Sequence, residues 1–322
     1  MLFDGSPQPG LVGIAKLAAN SQALEQKARV EYLELETRRF VGRCFSANMP
    51  FVWTINPYRG CEFGCKYCYA RYAHEFMELR DPLLFERRIF AKQFSPVAFR
   101  EELGKIKAGE SVWIGTATDP YQPAERRYRI TGQILEVFAH QTGHRLGLTT
   151  KSDLVARDAA LLREIARANT IQVNMTITTL DTRLARLLEP MAPRPDLRLQ
   201  AVRKLADCGV PVCVLANPVM PLITDSEANL DAVCSAAAEA GATSFRAAPL
   251  FLKDCAKQVF LPFVQQHFPH LYTRYRDRYA RQAYLTGSYP EKVRDLVRKL
   301  VVNYNLTPPE ADYQAPQLQL FT

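Results

Sequence analysis

Residues 51–71 read FVWTINPYRGCEFGCKYCYAR, a short apolar run that ends in a polar turn and then delivers Cys61, Cys65 and Cys68. The run over 51–55 has the length and the aromatic and β-branched content of a strand. Pro57 stiffens the exit from that strand, and Gly60 and Gly64 each precede a cysteine, where a missing Cβ lets the chain turn sharply. The expectation is a strand feeding a tight loop that carries three thiols.

Outward from this stretch, further apolar runs lie at 112–117, 146–150, 171–177, 210–216 and 244–249, with amphipathic stretches at 133–141, 158–168, 182–188, 197–208 and 225–240. Strands alternating with helices form a parallel sheet. Six strands predict an α/β fold built as a partial parallel (β/α)6 barrel. Asp225 and Ser226 suit the start of the last of these helices and Gly241 its end.

Residues 1–50 are read as a covering segment with a short helical stretch over 24–35, and residues 51–250 as the barrel. Residues 251–303 carry helical pattern only, broken at Pro269, and form a helical C-terminal lobe. Pro308, Pro309 and Pro316 oppose helix formation, so 304–322 is read as an extended tail.

A chain of 322 residues with 48% hydrophobic content can bury a sizeable core. No apolar run approaches the roughly 20 residues that span a bilayer, and the opening MLFDGSPQPG lacks the basic-then-apolar order of a secretory signal. A cytoplasmic protein with no membrane segment is expected. Eight cysteines are too few for a disulfide scaffold, and in a reducing compartment they stand as thiols. Cys44, Cys208, Cys213, Cys234 and Cys255 are scattered among apolar neighbours and read as small hydrophobes. The formal charge of +8 favours a polyanionic partner.

Three thiolates on one loop cannot close a cubane of four irons, which normally takes four protein ligands. One iron would stay open to an exogenous ligand, and Tyr67 before the last cysteine would stand as an aromatic wall beside it. The rival is a structural Cys3His zinc site completed by His74. Its spacing fits poorly, because zinc ligands usually arrive as two close pairs.

The C-x3-C-x2-C spacing with Tyr67 before the last cysteine resembles the signature of the radical S-adenosylmethionine (SAM) superfamily. The wider strings NPYRGCEFGCKYCYARYAHEF (56–76), TATDPYQPAE (116–125) and TTKSDLVARD (149–158) resemble its branch related to spore photoproduct lyase, often labelled DNA repair photolyase. The likeness runs over about 51–249. It implies a [4Fe–4S] cluster on the three cysteines, SAM bound at the open iron, and one-electron cleavage of SAM to a 5′-deoxyadenosyl radical. An electron donor such as flavodoxin or ferredoxin and a nucleic-acid substrate, DNA with a lesion above all, are implied with it.

The resemblance also implies places for SAM at the C-terminal ends of the strands, the active face of parallel barrels. Thr116, Thr118 and Asp119 would take its amino group, Lys151 and Ser152 its carboxylate and ribose, and Asn174, Thr176 and Asn217 its ribose or adenine. Each of these also has an ordinary reading as a strand threonine or a turn residue. Thr116 stands where the lyase carries a cysteine that donates a hydrogen atom. A different donor is then expected, with Tyr69, Tyr121 and Cys255 as candidates, or a different substrate.

For nucleic acid, HLYTRYRDRYARQAYL (270–285) puts Arg274, Arg278 and Arg281 on one helical face beside Tyr272, Tyr275 and Tyr279. The same stretch reads equally as a surface helix with its tyrosines packed inward. Arg126, Arg127 and Arg129 follow the second barrel strand and are preferred as phosphate contacts. The terminal QLQLF resembles the peptide by which repair proteins hold the replication sliding clamp, through Gln317, Leu318, Leu320 and Phe321. A tail folded onto its own barrel would use the same residues. Two competing functions keep some of these features: radical SAM modification of RNA, a peptide or a small metabolite, and a non-catalytic zinc-containing module that binds nucleic acid or the clamp.

Overall fold

Apolar runs become strands that pair with their sequence neighbours, as parallel strand-helix units require. A computed structural model describes residues 10–26, 30–37, 39–45, 49–107 and 109–307. The strands are β1 (Gln22–Gln26), β2 (Glu31–Leu35), β3 (Val41–Arg43), β4 (Trp53–Ile55), β5 (Tyr58–Arg59), β6 (Arg88–Lys92), β7 (Ser111–Ile114), β8 (Arg145–Thr150), β9 (Thr170–Thr176), β10 (Val212–Leu215) and β11 (Ser244–Arg246). The helices are α1 (Gly13–Ala19), α2 (Tyr72–Glu75), α3 (Leu84–Arg87), α4 (Pro96–Leu103), α5 (Glu125–Tyr128), α6 (Ile130–Ala139), α7 (Ala159–Ile165), α8 (Thr182–Leu188), α9 (Pro195–Asp207), α10 (Glu227–Glu239), α11 (Asp254–His267), α12 (Tyr272–Arg278) and α13 (Ser288–Asn303).

The main sheet has the order β11-β10-β9-β8-β7-β4-β3. From β4 through β11 every pairing is parallel, and β3 adds an antiparallel edge to β4. Among the described residues β4 and β11 do not pair, so the barrel is incomplete. Ile171, Val173 and Met175 of β9 and Val212, Cys213 and Val214 of β10 are almost fully buried, which is why these strands read as unbroken apolar runs. All six barrel strands fall within the runs expected for them, to within a residue.

The N-terminal segment differs from expectation. The described residues of 24–35 form strands in place of the expected helix: β1 and β2 pair antiparallel there, and β2 pairs in parallel with β6, a strand not anticipated from the sequence. With β5 they form a second sheet in the order β1-β2-β6-β5. Long-range pairing overrides the helical preference of Leu, Glu and Gln. This sheet carries the site, since β5 leads directly into the cysteine loop, and Tyr32 of β2 donates to the Glu62 carboxylate at 2.7 Å.

The helices after β11 do two jobs. α11, the turn at Pro269–Leu271 and α12 bury Phe260, Phe263, Val264, Leu271, Tyr275 and Tyr279 in one apolar cluster with Cys61, Phe63, Cys65 and Tyr67. α13 instead joins the barrel core through Val293, Val297, Leu300 and Val301. No helix of the described residues is long and apolar enough to cross a membrane. The tail positions Gln317, Leu318, Leu320 and Phe321 lie outside the described residues.

Candidate metal centre

Between β5 and α2, the chain makes a loop pinned from four directions. Cys61 N–H donates to the Phe85 carbonyl at 2.9 Å, Lys66 N–H to Leu188 at 2.9 Å, and Met191 N–H to Phe63 at 3.2 Å. Arg71, its side chain fully buried, donates to the carbonyls of Cys65 at 3.1 Å and Pro82 at 2.6 Å and pairs with Glu86 at 2.6 Å. Gly60 has φ +82°, and a Cβ there would sit 2.6 Å from the Arg88 carbonyl and 2.8 Å from that of Phe85. Only glycine suits this backbone.

Cys61 and Cys65 are buried, Cys68 is half-buried, and none is in a disulfide. Burial pushes the Cys61 thiol well up, and the charges of Asp119, Cys65 and Cys68 push it the same way. Burial likewise pushes Cys65 up to about 12, against the pull of Lys151. Cys65 and Cys68 thus lie within electrostatic reach of Cys61, and a metal group that binds there takes the thiolate form of its ligands.

His74 does not complete a zinc set. Its Nε2 donates to the Arg88 carbonyl at 3.0 Å, and its ring packs edge-on against Phe85 and Phe90. Burial holds it neutral by pushing its pKa down to about 4. With His74 committed to the Arg88 carbonyl, the loop offers three thiols and no fourth ligand from His74, a donor set that suits an iron–sulfur cluster with one corner free of protein ligand better than a closed Cys3His zinc site.

A family model described as the Radical SAM superfamily matches residues 55–231. The chain belongs to the radical SAM superfamily. An uncharacterized Mycobacterium tuberculosis protein is 34% identical over 274 residues, covering 83% of this chain and 80% of that one. A Methanocaldococcus jannaschii protein, also uncharacterized, is 26% identical over 204 residues, 62% of this chain and 72% of its own. Among solved structures, spore photoproduct lyase complexed with dinucleoside spore photoproduct superposes with a TM-score of 0.63 at 15% identity, over 85% of this chain and 79% of that one. A variant of it with bound AdoMet and the same dinucleoside gives 0.61 at 14%, with the same coverage. At these identities the likeness shows the fold: this radical SAM chain has the architecture of the photoproduct lyase branch. Membership implies SAM and an iron–sulfur cluster.

The residues expected around SAM are partly committed to the scaffold of this radical SAM centre. Thr118 donates to the Gly60 carbonyl at 2.6 Å and accepts from Gln122, whose amide oxygen takes the Glu62 N–H at 3.0 Å. That hydroxyl ties the loop after β7 to the cysteine loop, with its proton used on Gly60. Asp119 accepts from Thr150 at 2.6 Å and from the backbone N–H groups of Lys151 at 2.7 Å and Tyr121 at 2.9 Å. Burial raises its pKa against those bonds.

Ser152 caps the turn after β8 through Leu154 N–H at 3.3 Å. Asn174 and Thr176 are buried on β9, with the Asn174 amide 3.4 Å from the Leu148 carbonyl, and the Asn217 side chain accepts from Ala248 N–H at 2.6 Å. Thr116 is half-buried and exchanges hydrogen bonds with Asn56, whose carboxamide oxygen also takes Ala117 N–H at 2.7 Å. The Lys151 ammonium lies 5.7 Å from the Tyr67 ring centre. Burial pulls its pKa down, but the neighbouring Cys65, Glu189 and Asp119 outweigh burial and leave it raised.

Tyr67, expected as an aromatic wall, has a side chain fixed by its surroundings. It is buried, and its hydroxyl donates to Glu189, which also pairs with Arg198 at 2.5 Å. Of the expected donors, Tyr121 is buried with its hydroxyl on Asp158 at 3.0 Å, which turns it toward the scaffold. Tyr69 and Cys255 are brought together, the Cys255 thiol lying 3.8 Å from the Tyr69 carbonyl. Asn56, Arg71, Gln122, Glu189 and Arg198 were missed by sequence reasoning; only Asn56, directly after β4, carried a positional signal.

Beside α12, Tyr275 and Tyr279 are buried and donate to the carbonyls of Pro221 and Leu250 at 2.7 and 2.9 Å, so these two rings pack inward, while Tyr272 is half-buried. Arg274 and Arg278 are exposed on the helix, and Arg281 is exposed beyond its end, so the three-arginine face is not continuous. Arg126, Arg127 and Arg129 are exposed around α5.

Proposed function

We propose that this chain is a cytoplasmic enzyme that holds a [4Fe–4S] cluster on Cys61, Cys65 and Cys68, cleaves SAM reductively and acts on nucleic acid, with a DNA lesion as the favoured target. The carrying observation is the pinned three-cysteine loop whose nearest histidine is committed to a backbone carbonyl. When bound, cluster and SAM supply one-electron cleavage of the sulfonium. The chain's residues bind and orient around that event: the Lys151 ammonium stands ready for a carboxylate, and the half-buried Thr116 fills the loop beside Asn56.

The nucleic-acid reading is supported by an open strip of rings beside the cysteine loop. Tyr284 stacks on Phe251 at 4.3 Å, Phe251 meets Tyr69 at 6.0 Å, Tyr69 stacks on Tyr72 at 6.4 Å, and Tyr72 meets Phe76 at 5.8 Å. Lys253 sits 4.1 Å above the Tyr72 ring. Aromatic rings interleaved with cations are what unpaired bases and their phosphates bind. The fold shared with a lyase solved in complex with dinucleoside spore photoproduct supports the same reading.

Anaerobic reconstitution is expected to give about four irons per chain and, with dithionite and SAM, 5′-deoxyadenosine. Stoichiometric zinc without iron, or no 5′-deoxyadenosine from an iron-loaded chain, would overturn the enzyme reading. Repair of ultraviolet-damaged DNA, against damaged RNA as control, tests the substrate.

A further inference from the structure

We propose that the buried Glu189–Arg198 pair is a positioning element of the metal centre, with Glu189 fixing Tyr67 against Lys151 and setting the charge felt at the cysteine loop. The proposal rests on the cluster reading above. Nothing in the cysteine motif or the strand-end residues requires these two side chains.

Both are almost wholly buried, and a buried carboxylate or guanidinium is costly unless each polar atom finds a partner. Here the partners converge. Arg198 is held at its own end by the carbonyls of Pro193 at 2.8 Å and Thr176 at 3.0 Å, so it presents the remaining guanidinium nitrogen to Glu189 in one orientation. Glu189 in turn accepts from the Tyr67 hydroxyl, and the Tyr67 ring lies under the Lys151 ammonium. The flanking backbone reinforces the grip, because Leu188 and Met191 bond to Lys66 and Phe63, on either side of Cys65.

The Glu189 carboxylate therefore stands among two cations, Arg198 and Lys151, with Asp119 as the other acid near the cysteines, next to a loop whose bound group gains an electron on reduction. A negative charge near such a group disfavours the extra electron and keeps its potential low, as net charge does in iron–sulfur proteins generally. Low potential is what transfer to a sulfonium needs. A pair with only a packing role would leave the potential alone.

The test uses the full chain, reconstituted anaerobically. Glu189→Gln, which keeps the shape but removes the charge, should shift the cluster midpoint to a more positive potential, read by redox titration with electron paramagnetic resonance. Glu189→Asp should return it toward wild type. Tyr67→Phe, which adds no buried charge, should leave the midpoint in place and raise KM for SAM about tenfold at unchanged kcat, the effect of freeing one side chain from a charged hydrogen bond. An unshifted midpoint in iron-loaded Glu189→Gln overturns the proposal. Should that variant fail to load iron, wild-type KM in Tyr67→Phe overturns it instead. A wild-type chain that binds no iron defeats the cluster reading, a separate outcome visible before any variant is made.

Discussion

The Tyr69 hydroxyl donates to the Thr116 carbonyl at 2.6 Å, tying the turn after the last cysteine to the loop after β7. Tyr69 is more than a third exposed. Tyr69→Phe removes only this link. It is expected to load iron as wild type does and to cost about 1 kcal/mol in urea unfolding, the usual net worth of one hydrogen bond.

Cys61, Cys65 and Cys68 should behave as a unit, because a cluster held on three corners has none to spare. Replacing any one by alanine is expected to abolish bound iron and sulfide and the brown visible absorption. Cys255→Ala, which removes a thiol lying 3.8 Å from the Tyr69 carbonyl, should retain them. Iron analysis of the four variants decides the point.

Gly60→Ala places a methyl group within 2.6 Å of a carbonyl oxygen on a backbone with φ +82°. Both faults act in the folded state, so a loss of about 2–3 kcal/mol is expected. Because the strain falls one residue before Cys61, iron loading should drop along with the unfolding midpoint.

His74 is neutral and buried, with its pKa pushed down to about 4. The unfolded chain takes up that proton near pH 6.5, so between about 4 and 6.5 it binds more protons than the folded chain. Stability should therefore be unaffected by this group above pH 6.5 and fall as pH drops toward 4, by up to about 3 kcal/mol at 1.4 kcal/mol per unit. His74→Gln should remove that part of the acid sensitivity, seen as a flatter dependence of denaturant midpoint on pH. It should also keep its iron, whereas a Cys3His zinc protein would lose its metal.

Much of this centre was legible because its parts are local. The cysteine spacing, the glycines that turn the loop and the apolar runs of parallel strands each fit within a few residues. What escaped is non-local. β6 pairs with β2 more than fifty residues away, and β2 reads as helix by propensity alone. Glu189, at the end of α8, looks like any surface glutamate until the fold carries Tyr67 and Arg198 to it. The tyrosines of 272–279 stayed undecided for the opposite reason: a stripe at helical spacing says which residues share a face and not whether that face meets solvent or core.

Charge and stacking make separable contributions to nucleic-acid binding, which gives the last prediction. Arg126, Arg127 and Arg129 are exposed, and each phosphate contact contributes about 0.7 to the slope of log affinity against log salt for single strands and about 0.9 for duplex. Replacing all three by alanine should flatten the slope by about 2, measured by fluorescence anisotropy with labelled oligonucleotides. Phe76 and Tyr284 are 61% and 48% exposed at the two ends of the ring strip. Phe76→Ala and Tyr284→Ala should leave the slope unchanged and weaken single-strand binding at every salt concentration, by about 1–3 kcal/mol for each base that loses its ring. Duplex, whose bases are already stacked, should respond less to the ring variants than single strands do. A wild-type chain with a flat slope, indifferent to both sets of changes, would instead favour a peptide or small metabolite at the same centre.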